Sequence, residues 1–375
     1  MKIAKIDIYQ IAIPFTAGNR EIIEVSDDDK FNGASPNIQK MESLLVSITT
    51  DTGCVGWGEA FGHAVNPVTL SALESLVSPL FIGSEIELYD DTLYKAKRAL
   101  HSFGLTGPTL YALSAIDIAV WDIKAKIAEK PLWQLLGGQS GQIELYASLV
   151  SYNNIPERVC EQVMYTYQQG FKKIKLHETE FQAIEAARQA LPSDAELMVD
   201  VNCPWNGEQA CQEAKQLAPL NLGWLEEPVW PPEDYIQLAK VRAQGTPLSA
   251  GENTPGLQAF ANLIASNAVD VIQPSVAKIG GISGMLDVLE MSKDAPSKLV
   301  AHCFYYGAGL LATAHFVASK APDTAVEVPY IQLEKPLHPL NTCPSHFDLG
   351  STPGLGFTPA PELLTEYLIT HRVVT

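Results

Sequence analysis

The chain has 375 residues, 46% of them apolar and 18% charged, a composition that suits a globular protein with one large and one smaller domain. Its 43 acidic residues against 25 Lys and Arg give a formal net charge of −18, which speaks against nucleic acid or an anionic membrane as a partner. Six cysteines (54, 160, 203, 211, 303 and 343) lack metal-finger spacing and read as reduced thiols. The start lacks a signal-peptide core and no stretch is apolar enough for a membrane span, so a cytoplasmic enzyme without a membrane partner is expected.

Ile6, Ile8, Ile11 and Ile13 predict a bent edge strand ended by Pro14. Leu44–Thr49 and Gly53–Glu59 predict a hairpin around Asp51-Thr52-Gly53. Between them runs a polar stretch, Thr16 to Lys40, with Asp27-Asp28-Asp29 and Asn32-Gly33, which is either a surface loop or a lid over an active site. Residues 66–80 and 86–101 read as helical. Thr109–Ala128 reads as an amphipathic helix, with Leu113, Ile116, Ala119, Val120 and Ile123 at helical spacing.

After Leu135-Leu136-Gly137-Gly138 the rhythm becomes strand and helix in alternation. The expected strands are 144–151, 172–177, 196–201, 222–227, 247–251, 269–274, 298–302 and 325–328, with helical patterns in most of the gaps. Eight β-branched, apolar strands with crossover helices predict a closed parallel barrel. The tail with Pro353-Gly354-Leu355-Gly356 should pack back on the first domain.

Three acids mark the ends of successive barrel strands. Glu226 stands 26 positions after Asp200, and Glu252 another 26 after Glu226, about the length of one strand, one helix and their loops. Equal spacing brings the three carboxylates to the same end of neighbouring parallel strands. Carboxylates so gathered repel one another unless a cation lies between them, and hard oxygen ligands suit Mg²⁺.

In order and spacing the chain resembles the mandelate racemase and muconate lactonizing enzyme branch of the enolase superfamily. The resemblance rests on Gly56-Trp57-Gly58-Glu59, the run Ala115 to Lys124, Leu135-Leu136-Gly137-Gly138, Gly170 to Lys175, Asp200-Val201-Asn202, Glu226-Glu227-Pro228, Gly251-Glu252-Asn253, Lys278-Ile279-Gly280-Gly281 and Pro353 to Gly356. It implies a modified (β/α)8 barrel, (β/α)7β, beneath an α+β capping domain. Residues 1–128 with the lid loop 16–40 would form that cap, residues 129–335 the barrel, and residues 336–375 a segment packing back on the cap. It also implies one Mg²⁺ per subunit held by Asp200, Glu226 and Glu252, with Glu227 pointing away by strand alternation.

The same resemblance assigns the acid–base groups. Where the family carries Lys-x-Lys, this chain has Lys175-Leu176-His177, two side chains on one side of a strand. Lys175 would contact the substrate carboxylate, and His177 would be the base or a hydrogen-bonding group. The family's racemase-like Asp–His pair is reduced to His302, because Ser275 occupies the Asp position. The Ser275 hydroxyl is then left to fix the His302 tautomer. Lys278 is expected to pair with a metal-ligand carboxylate, and Lys173 to face solvent. Glu327 would meet the substrate carboxylate or be a buried ionic partner of Lys175 or Arg20, and Arg20 would receive a distal anionic group or remain a solvated lid charge.

Together these imply removal of the α-proton of a small carboxylate substrate through an enediolate. Dehydration of a sugar acid or hydroxy acid is the first expectation. Racemisation or epimerisation, lactone cycloisomerisation and a non-catalytic metabolite binder are the alternatives. A homo-oligomer is expected, from apolar cap surfaces.

Overall fold

The structure is a computed structural model that describes all residues except 28, 29, 31, 64, 65 and 343. Two of the expected lid acids, Asp28 and Asp29, and Cys343 therefore lie outside the described residues; the other five cysteines are free.

The chain opens on an antiparallel sheet of β1 (Ile3–Thr16), β2 (Lys40–Thr50) and β3 (Val55–Ala60). It is covered by α1 (Asn66–Ala72), α2 (Tyr89–Ala99) and α3 (Gly107–Ile127). The helical stretch expected at 66–80 leaves α geometry after Ala72, widening into a π turn at Leu73–Val77 and a 3-10 turn at Ser78–Leu80. Helix α3 is buried around most of its circumference rather than amphipathic. The reason is its position, with the β3 face on one side and the barrel on the other, so even Asp117 and Asp122 are buried on it.

A short helix α4 (Leu132–Leu135) leads into the second layer. Eight parallel strands follow: β4 (Gln142–Ser148), β5 (Lys173–Leu176), β6 (Glu196–Asp200), β7 (Leu225–Glu226), β8 (Leu248–Ala250), β9 (Val271–Ile272), β10 (Lys298–Leu299) and β11 (Val326–Pro329). Seven helices alternate with them: α5 (Pro156–Gln168), α6 (Phe181–Ala190), α7 (Gly207–Leu217), α8 (Tyr235–Arg242), α9 (Leu257–Ser266), α10 (Gly281–Ser292) and α11 (Ala308–Lys320). Each expected strand is found; the six from β5 to β10 are shortened to the residues that hold the ladder, β4 starts two residues before its expected position and β11 is shifted by one. The order β11-β4-β5-β6-β7-β8-β9-β10 is that of a (β/α)7β barrel. Among the described residues no ladder joins β10 to β11. Side chains bridge that seam instead: Cys303 N donates to Glu327 Oε2 at 2.9 Å, and Lys298 Nζ reaches the Asp323 carbonyl at 3.4 Å.

Inside the barrel, Tyr146, Met198, Trp224, Val271, Val300 and Ala325 pack as a plug below the site. The polar ends of the strands are thereby held at the opposite, C-terminal mouth.

The remaining elements are β12 (Gln332–Leu333), β13 (His346–Asp348), α12 (Pro361–Glu366) and β14 (Leu368–Val374). The first strand is not an edge strand as expected: β14 pairs antiparallel with it from Ile6 to Ile11, and β2 runs along its other side. A partner more than 350 residues away leaves no local sign. Pro14 sits past the point where β14 departs, so its missing N–H removes nothing from that ladder. The tail meets both layers, β13 pairing with β4 and β14 with β1.

Two buried acids, Glu59 and Asp117, join cap to barrel, and a third, Asp122, ties the cap to the tail. Glu59 accepts from the amides of Gly307 (3.0 Å) and Gly309 (2.8 Å) at the N-terminus of α11. Asp117 accepts from Tyr89 Oη, Ser283 N and Ser283 Oγ. Asp122 accepts from Trp57 N and Leu355 N and pairs with Lys126 at 2.7 Å. In Gly56-Trp57-Gly58-Glu59 the glycines let α3 lie on β3, because a Cβ at Gly58 would stand 1.9 Å from the Ala115 carbonyl oxygen. No helix of the described residues is long and apolar enough to cross a membrane.

Candidate active site

Asp200 and Glu226 end β6 and β7, and Glu252 follows β8 by two residues. One oxygen from each lies within 4.8 Å of the others, with Asp200 and Glu226 buried and Glu252 half-buried. Three hard oxygen donors at this separation fit one divalent cation of the Mg²⁺ type. The surrounding charges favour the ionised form at two of the three. Burial tends to raise all three, but His302 and Lys278 hold Glu252 well below the usual carboxylate range, and Lys175 and His177 hold Asp200 below it. Glu226, deepest of the three, is raised by burial and by its acidic neighbours despite Lys175.

Lys175 projects inward from β5 into this cluster. Its Nζ lies 2.8 Å from Glu327 Oε1, 3.0 Å from Glu226 Oε1 and 3.4 Å from Asp200 Oδ2. Burial works against its charge, but Glu226, Glu327 and Asp200 outweigh that and hold its pKa well above normal. Glu327 is thus the buried partner of Lys175 as well as the acceptor of the Cys303 amide. Lys173, two residues earlier, is part-exposed and paired with Glu144.

The two histidines differ in how their rings are held. His177 Nδ1 faces the Leu149 carbonyl, an acceptor only, so Nδ1 must carry the proton. In the neutral ring the lone pair then falls on Nε2, which lies 3.4 Å from Asp200 Oδ2. His302 is reversed: Nε2 lies 2.5 Å from Glu252 Oε2 and donates to it, while Nδ1 is buried without a partner among the described residues. Ser275 is buried beside His302, in backbone register with it, but its hydroxyl bonds the Tyr305 hydroxyl. The expectation that Ser275 fixes the His302 tautomer is corrected by that competitor, which no local pattern announced.

Lys278 also departs from expectation. Its ammonium donates to Asn253 Oδ1 at 3.0 Å and lies over the Phe61 ring, rather than pairing directly with a carboxylate. The Asn253 side chain in turn holds Glu227 and Glu252. Glu227 points away from the cation position and also accepts from the amides of Gly251 and Asn253, tying together the loops that carry the ligands. Burial and the neighbouring acids push its carboxyl up to about 7.

A cavity of ≈ 350 Å³ opens in front of His177 and Asp200. Lid residues 23–26, 32 and 34–36 form one wall; Ser151, Asn153, Asn154, Thr179 and Asn202 form the other. Two contacts fasten the lid segment there, Asn32 Nδ2 to Asn202 Oδ1 (2.6 Å) and Ser151 N to the Ala34 carbonyl (2.9 Å). Arg20 is not among the lining residues. Its guanidinium bonds the Ile38 carbonyl and stacks 4.3 Å above the Phe15 ring, and its buried Nη1 has no hydrogen-bond partner among the described residues. His63 was missed by the sequence reading. Packed between Phe61 and Phe304, it is pushed down to about 4 by burial, with Lys278 adding to the effect.

Two family models match the chain: "Mandelate racemase / muconate lactonizing enzyme, N-terminal domain" over residues 21–137 and "Enolase C-terminal domain-like" over residues 158–363. The chain belongs to the mandelate racemase/muconate lactonizing enzyme family of the enolase superfamily. Arabinonate dehydratase of Saccharolobus solfataricus is 27% identical over 87% of this chain and 91% of its own length. D-galactarolactone cycloisomerase of Agrobacterium fabrum is 30% identical over 82% and 83%. Among solved structures, a family protein from Paracoccus denitrificans PD1222 complexed with magnesium superposes with a TM-score of 0.81. It is 26% identical and covers 98% of this chain and 97% of its own. The chain is therefore an enzyme of this superfamily, with a carboxylate trio able to hold the family's Mg²⁺.

Proposed function

We propose that this enzyme removes the α-proton of a carboxylate substrate with the help of Mg²⁺ and then expels water from a sugar acid or hydroxy acid. The observation that carries the reading is the meeting of Asp200, Glu226 and Glu252 with Lys175 beneath and an imidazole on each flank. Asp200, Glu226 and Glu252 would hold the cation, which supplies the positive charge that a carboxylate needs as it takes up a second negative charge.

The chain's own residues then divide the work. Lys175, kept charged by three acids, meets the substrate carboxylate, with Glu327 holding the ammonium in place. With Nδ1 committed to Leu149, the neutral ring of His177 carries its lone pair on Nε2, and in that form this nitrogen accepts the α-proton. His302, whose Nε2 faces Glu252, acts in its imidazolium form: it delivers one proton to the departing hydroxyl and is left as neutral imidazole, giving water and an enol that becomes a 2-keto acid. Ser275 enters only as a neighbour of His302, and Arg20 as an anchor of the lid.

Racemisation or epimerisation uses the same two imidazoles on opposite sides of a carbon, so product analysis decides between them. A library of mono- and diacid sugars incubated with Mg²⁺ should yield semicarbazide-reactive 2-keto acid. A non-catalytic binder would give neither keto acid nor deuterium uptake from D2O at the α-carbon. Deuterium uptake with no keto acid would instead identify an epimerase.

A further inference from the structure

We propose that the substrate carries a single carboxylate, and that its far end is an uncharged polyhydroxy chain read by Ser35, Asn153 and Asn202. This rests on the reading of the site as a sugar-acid enzyme and goes beyond it by assigning the charge of the distal end.

The polar part of the cavity wall is chiefly amides and hydroxyls, from four asparagines, three serines and a threonine, beside apolar residues such as Ile23, Val25 and Val201. Its charged members are Glu24, Asp200 and His177, and no Lys or Arg is among the described lining residues. None of the six undescribed residues is basic either. A second carboxylate placed there would face Glu24 in a protein of net charge −18, without a cation to receive it.

The unspent hydrogen-bonding capacity points the same way. Most of the wall is already engaged: the Asn154 side chain serves Thr179 and Glu180, and Asn202 Oδ1 accepts from Asn32. Two lining atoms are buried without a partner among the described residues, Ser35 Oγ on a residue only 3% exposed and Asn153 Oδ1. The orientation of the Asn153 amide is set, since its nitrogen donates to the Glu21 carbonyl at 3.4 Å. An amide oxygen accepts only, so a ligand must bring it a donor, which a hydroxyl does and a carboxylate cannot. Ser35 both donates and accepts, and the Asn202 amide nitrogen can add a donor. A chain of secondary alcohols matches that set.

The rival receptor is Arg20, but its guanidinium is turned to Ile38 and Phe15 rather than to the cavity. Matched pairs separate the possibilities: D-gluconate against D-glucarate, D-galactonate against galactarate, and D-arabinonate against D-arabinarate. Turnover is read by keto-acid formation, and binding by calorimetry on the Mg²⁺-loaded enzyme. The monoacid of the reactive configuration should exceed its diacid at least about 100-fold in kcat/KM. Ser35→Ala should cost the monoacid about tenfold, mostly in KM. Glu24→Gln should raise the diacid several-fold. A diacid that reacts or binds as well as its monoacid overturns the inference, most directly if Arg20→Met abolishes that diacid activity. Should no acid exchange its α-proton in D2O, the proposed reaction falls, while the binding comparison still decides the charge of the distal end.

Discussion

His177 and His302 are one residue type in two electrostatic situations, and the hydrogen bonds of each ring set its task. A carbonyl fixes the proton of His177 on Nδ1, whereas a carboxylate takes the proton of His302 at Nε2. His302→Asn should stop keto-acid formation by at least about 10³-fold while leaving Mg²⁺ affinity and α-proton exchange intact. His177→Asn should lose exchange and elimination together. Proton NMR in D2O with Mg²⁺ and calorimetric Mg²⁺ titration check both, and exchange surviving in the His177 variant would reverse the roles. A third histidine governs stability. His315 is buried, accepts from Trp133 N through Nδ1 and faces the Leu355 carbonyl through Nε2, so both nitrogens are used in the neutral form. Burial pushes its pKa down to about 4. The unfolded chain takes up this proton below about pH 6.5 and the folded one only near pH 4. Stability therefore falls as pH drops through that window, by about 3 kcal/mol from this residue. Urea unfolding between pH 4.5 and 7 should show a shallower loss in His315→Gln, and parallel curves would refute it.

At the scale of elements, the interface of β3 with α3 depends on missing side chains. Gly58→Ala drives a methyl into the Ala115 carbonyl, and the displacement should cost about 1–3 kcal/mol of stability by urea unfolding. An unchanged midpoint would mean that α3 can retreat freely. The strands of the barrel were legible because two-sided burial demands β-branched runs, and the spacing of Asp200, Glu226 and Glu252 reported the repeat directly. What stayed hidden was set by partners remote in sequence. The place of β1 depends on β14, and the two-sided burial of α3 on the barrel beneath it. Within the site, Lys175 and both histidines could be read from strand ends. The diversion of Ser275 to Tyr305, the Leu149 carbonyl behind His177 and the seating of Ser35 over the cavity could not, because each joins separate loops.

At the scale of the whole molecule, buried acids tie cap to barrel alongside the apolar contacts between them. Glu59 receives two amides of α11 and the Ser43 hydroxyl in a fully buried setting. Glu59→Ala leaves three buried donors unanswered, at about 1–3 kcal/mol each. Scanning calorimetry of that variant should resolve two transitions where the parent gives one. A single unshifted transition would show that the cap is held by other means.

The seam between β10 and β11 adds a constraint on how this pocket can change. Glu327 staples the two walls through the Cys303 amide and at the same time answers the charge of Lys175. One side chain is both rivet and counter-ion. Any substitution that rebalances the charge under the substrate therefore also slackens the cylinder along its unlaced line.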